Sequence, residues 1–82
     1  MIQKSLRLRL FSLFDAKKGD TVKIVNLPVG LARSQFIRFG IMEGDIVKCL
    51  ERLPGGTILI QKSRQEIAIG LQLAKNIIVT KH

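Results

Sequence analysis

Apolar and polar positions along the chain alternate in short bursts separated by glycines, and the period lengthens once. Thr21-Val-Lys-Ile-Val-Asn26 is a β-branched run that predicts the first firm strand, ended by Pro28 and Gly30. From Leu31 to Phe39, Ala32, Phe36 and Phe39 recur at helical spacing, while Arg33, Gln35 and Arg38 fall off that stripe toward water. Gly40 stands where a helix needs a left-handed residue after its end, and Ile41 is placed to fold back on Phe36. Gly44-Asp45 then opens a strand over Ile46 to Glu51, and Leu53-Pro54-Gly55-Gly56 turns it into an antiparallel strand over Thr57 to Gln61. Glu66 to Ile69 is the next strand, Leu71 to Lys75 a helical turn, and Ile77 to Thr80 the closing strand.

The N-terminal stretch is less decided. Leu6-Arg-Leu-Arg-Leu10 alternates like a half-buried strand, but Leu6, Leu10 and Leu13 also fit a helix face. Residues 1–11 are therefore set apart as an extension, with residues 12–82 forming one domain. The expected fold is mainly β: a small barrel of about five strands, with one short helix between the first and second, closed so as to leave no free edge. Phe36, Phe39, Gly40, Ile41 and Gly44 are its key structural positions.

With 82 residues the chain holds one small core, so a site on it is expected to be a surface and not a deep pocket. Arg7 and Arg9 break the one N-terminal stretch that could be a signal peptide, and no run reaches the roughly 20 apolar residues of a membrane span. Cys49 is the single cysteine, which rules out an intrachain disulfide and suits a reducing cytoplasm. The net charge of +8 raises nucleic acid or an acidic membrane as partners, yet the basic residues are scattered without a cluster.

Candidate chemistry is sparse. His82 is the last residue, where chains fray, and Cys49 lies mid-strand among apolar neighbours as a small core residue. One Cys and one His cannot build a closed metal site. Glu43 and Asp45 flank Gly44 and could share a hard cation, although two carboxylates in a turn are usually just solvated. No phosphate loop is present, so no catalytic residue, metal or cofactor is expected. Single-stranded nucleic acid needs stacking platforms, and the chain has no Trp or Tyr; Phe36 and Phe39 are assigned to the helix's inner face, Phe11 and Phe14 to the barrel's end.

Gly30-Leu-Ala-Arg33-Ser-Gln-Phe36-Ile-Arg38-Phe39-Gly40-Ile41-Met-Glu-Gly44-Asp resembles the helix and turn of the FeoA family, small accessory proteins of bacterial ferrous-iron uptake. Ser12 to Asp20, Leu53 to Gly56, Ile67 to Gly70 with Leu73-Ala74, and Ile77-x-Val79 resemble that family's other segments in the same order, so the likeness covers about residues 12 to 80. The resemblance implies an SH3-like barrel and a cytoplasmic protein that docks on the GTPase-type iron permease FeoB without chemistry of its own. A related barrel ends repressors of the diphtheria-toxin-repressor type, so the fold alone leaves a metal-responsive module or a basic nucleic-acid-binding barrel as alternatives. The extension could serve partner or self pairing, including a homo-oligomer, and the charge could suit a position beside an anionic inner leaflet. Arg33 and Arg38 on the helix, with Arg52 and Lys62 near the hairpin, are the candidate partner-binding residues, because they are charged and not needed for the core.

Overall fold

The alternation of apolar residues translates directly into inward and outward faces in the computed structural model, which describes residues 9–82. Six strands form one antiparallel sheet: β1 (Leu10–Ser12), β2 (Thr21–Asn26), β3 (Ile46–Arg52), β4 (Ile58–Lys62), β5 (Gln65–Ile69) and β6 (Ile78–Lys81). Their order across the sheet is β1-β6-β2-β3-β4-β5. Val22 and Ile24 of β2, Val47 and Cys49 of β3, Ile58 and Ile60 of β4 and Val79 of β6 are fully buried, each pair two residues apart as a pleat requires. Helix α1 (Leu31–Arg38) joins β2 to β3, and α2 (Leu71–Lys75) joins β5 to β6. A turn of 3-10 helix at Leu13–Asp15 adds Leu13 to the same core.

The end of α1 follows the predicted cap. Gly40 takes φ 85°, its amide donates to Ile37 O at 2.9 Å, and Ile41 N donates to Phe36 O at 2.9 Å. These two reversed hydrogen bonds satisfy carbonyls that the last helical turn leaves open, in a conformation a side chain would penalise. Ile41 and Phe36 are both buried in the core.

The mainly β, SH3-like architecture is as expected, and four details differ. Leu10 to Ser12 add a sixth strand, pairing with Ile78 to Thr80 of β6, whereas Leu6 to Leu8 of the alternating stretch lie outside the described residues. The sheet is not closed among the described residues: bulges between Ile24 and Asn26 and between Cys49 and Glu51 bend it, but β1 and β5 are its edges there. Phe39, expected on the inner face, is 56% exposed. Its place is at the helix's C-cap, and the reversal at Gly40 brings Ile41 over Phe36 into the core position that a longer helix would have given Phe39. Finally, the backbone of His82 is joined to the sheet, its amide donating to Thr21 O at 3.0 Å.

Candidate functional site

The open edge of the sheet and the end of α1 make a groove. It encloses about 360 Å³ and is lined by Gln35 and Phe36 of α1 with its C-cap residue Phe39, Ile67 and Ile69 of β5, and Leu73 of α2. Among the described residues β5 pairs only with β4, from Ile58↔Ile69 to Lys62↔Gln65, so its other backbone side meets no strand among them and lies beside this apolar floor. Phe39 stands on one wall, and Glu66 places a carboxylate along the strand. Arg38 is exposed beside Phe39, in a shallower depression shared with Gln35. A ring, an apolar floor and a free strand edge can hold an extended peptide segment.

Of the four basic residues expected to be free for a partner, three are tied into the fold. The Arg33 guanidinium forms a two-pronged pair with the Glu43 carboxylate, with Nη2 donating to Oε1 at 2.9 Å, and the same carboxylate accepts from Leu27 N at 3.3 Å. Arg52 donates to Ala16 O at 2.8 Å and to Phe14 O, and lies 5.0 Å from the centre of the Phe14 ring. Lys62 Nζ pairs with Asp45 Oδ2 at 2.8 Å and donates to Gly40 O, pinning β4 to the end of α1. Their ligands are structural, so the premise that these cations are not needed by the fold holds for Arg38 alone, which has no ion-pair partner among the described residues. Ile67 and Leu73 were not read from the sequence as groove residues, although the alternation of Gln65–Ile69 carries the signal for Ile67.

The Arg33 clasp has a pH signature. Hydrogen bonds from the Arg33 guanidinium, and then from its own and the Leu27 backbone amides, outweigh the cost of burial and hold the Glu43 carboxyl at about 2, below its ordinary 4.5. A depressed carboxylate pKa stabilises the fold fully above 4.5, and that stabilisation is lost as pH falls toward 2. Glu43→Gln is therefore expected to remove this part of the acid dependence, so that wild-type and variant melting temperatures converge between pH 4.5 and 2; parallel curves would show that the pair contributes nothing.

No catalytic arrangement emerges among the described residues. Cys49 is fully buried, and burial pushes its thiol pKa up, which disfavours the thiolate. Glu43 and Asp45, the two carboxylates that could have shared a cation, are each spent on a basic side chain instead. No three His, Cys, Asp or Glu side chains converge among the described residues. A second depression of about 420 Å³ mixes Arg9, Lys17 and Lys81 with Asp15 and Asp20 around Phe11, so its charge favours neither anion nor cation. None of the described helices is long and apolar enough to cross a membrane.

Comparison with known proteins places the fold. A structure described as the iron uptake regulatory protein FeoA is 31% identical, covers 92% of this chain and 100% of its own, and superposes with a TM-score of 0.81. A FeoA-like protein from Clostridium acetobutylicum is 19% identical over 92% of this chain and 90% of its own, with a TM-score of 0.79. A manganese-dependent transcriptional repressor shares the fold at 19% identity and a TM-score of 0.82, over 93% of this chain but only 44% of its own. The curated protein sequences contain no significant match. The FeoA domain model matches residues 11–81, from the middle of β1 to the end of β6, and the chain belongs to the FeoA domain family.

Proposed function

We propose that this protein is a non-catalytic accessory of ferrous iron uptake, working in the cytoplasm, whose α1–β5 groove receives a cytoplasmic segment of a FeoB-type permease. The observation that carries this reading is the exposed Phe39 ring standing over an unpaired strand edge. Phe39 is exposed beside the apolar lining formed by Ile67, Ile69 and Leu73, and a ring next to such a groove supports a docking role. Arg38 beside it supplies the free positive charge that steers an acidic stretch of the partner into place. A nucleic-acid barrel is less well supported, since Phe39 is the single strongly exposed aromatic and stacking along a strand needs several.

The fold likeness to the manganese-dependent repressor favours one second reading, a metal-responsive module. Calorimetry separates the two. The isolated chain titrated into the permease's cytoplasmic domain is expected to give saturable heat, weakened about fivefold by Arg38→Glu through loss of steering and rim pairing. Heat on titration with ferrous iron or manganese alone, and none with the permease domain, would transfer the function to the second reading.

A further inference from the structure

A second apolar surface occupies the other end of α1, about 12 Å from Phe39 at 1.5 Å per residue. Val29 is 86% exposed and Leu31 is 82% exposed, on either side of Gly30 in the loop that follows β2. β2, this loop and the start of α1 are each tied to the segment entering β3: Gly44 N donates to Ile24 O at 2.7 Å, Leu27 N donates to Glu43, and Arg33 pairs with Glu43. On the adjoining part of the sheet Val25, next to Ile24, and Ile46, opposite Lys23, are also exposed.

Its electrostatics are one-sided. The acids within it, Glu43 and Asp45, are neutralised by Arg33 and Lys62. On the outer face of the sheet Lys23 sits directly opposite Ile46, two residues before Val25, and Lys48 lies two residues beyond Ile46. Both lysines are exposed and have no ion-pair partner among the described residues. Two residues along a strand is about 7 Å, so Lys48 stands one such step behind Ile46 and Lys23 the same step behind Val25. Apolar side chains in front and flexible cations a headgroup's depth behind are the distribution that an anionic lipid interface accommodates. Four of the chain's six acids pair one-to-one with basic residues among the described residues, and because the +8 already counts every acid, these pairs leave all of it unopposed.

We propose that this end of the molecule seats on an anionic bilayer surface, with Val29 and Leu31 entering the headgroup–acyl boundary and Lys23 and Lys48 resting on lipid phosphates. The contact is independent of the permease reading, since it uses a different surface.

Sedimentation of the full chain with protein-free vesicles tests it. Binding is expected to vesicles of phosphatidylcholine with about one-third phosphatidylglycerol, and to be weak with phosphatidylcholine alone. Val29→Asp/Leu31→Asp should lower the partition coefficient by about tenfold or more, because two apolar side chains are withheld from the interface. Lys23→Glu/Lys48→Glu should lower it by about tenfold at low salt through lost attraction to the headgroups. Thermal melts of each variant confirm folding, and the more conservative Val29→Ser/Leu31→Ser serves if the aspartates disturb it. Equal sedimentation of wild type and the apolar variants, no sedimentation of wild type with anionic vesicles, or self-association lost in the apolar variants would each overturn the proposal. The vesicles hold no permease, so failure here leaves the groove reading standing, and failure of permease binding leaves this one.

Discussion

Phe39→Asp is expected to abolish measurable binding to the permease's cytoplasmic domain while leaving the melting temperature nearly unchanged. The ring is more than half exposed, so its removal opens no cavity, and an aspartate at a C-cap in water adds only a modest unfavourable helix-end charge. In a complex, by contrast, the ring lies at the mouth of the groove over Ile67 and Leu73, where a bound segment would cover it. Central aromatic anchors of this kind cost about 2 kcal/mol or more on truncation, roughly thirtyfold in affinity, and a carboxylate on an apolar floor adds a desolvation penalty. Calorimetry on the wild type, Phe39→Ala and Phe39→Asp reads the series. Affinity unchanged in the aspartate variant would remove the groove from the docking surface.

Three residues earlier, Phe36→Ala should do the opposite. Phe36 is 3% exposed, belongs to the core cluster, and its carbonyl receives the Ile41 amide that closes the helix cap. Truncating a buried phenylalanine typically costs about 3–5 kcal/mol, a large share of what a domain of this size holds in reserve. The variant is expected to lose most of its cooperative transition in a urea titration, or to show a midpoint far below wild type at an unchanged slope. A loss below about 1 kcal/mol would mean that α1 is not packed on the sheet as described. Together the two phenylalanines separate what the helix does for the fold from what it offers a partner.

How much of this was legible in the sequence follows from how local each determinant is. The strands of the core, the cap at Gly40 and Ile41 and the buried Cys49 were readable because period, glycine placement and β-branching act over a few residues. Phe39 was misplaced because periodicity runs on through a helix's last turn, whereas the side chain's direction is decided by the reversal that follows. Arg33, Arg52 and Lys62 looked like free surface because their acceptors are remote: Glu43 is 10 residues from Arg33, Phe14 is 38 from Arg52, and Gly40 is 22 from Lys62. The open sheet was invisible for the same reason. Whether two outer strands meet depends on twist and bulges summed over the whole ladder, and here α1, with Phe36 buried and Phe39 on the rim, occupies the side where β5 ends unpaired.

An unpaired β5 has a consequence for how the molecules treat one another. The strand's Ile67-Ala68-Ile69 stretch carries no charge, and such an edge invites a second copy to add on as another strand. What restrains that encounter is mutual repulsion between bodies each bearing +8, which acts across about 10 Å at 0.1 M salt and only about 3 Å at 1 M. The excess of lysine and arginine is thereby also a colloidal guard for a sheet left unfinished, and concentrated salt lifts it.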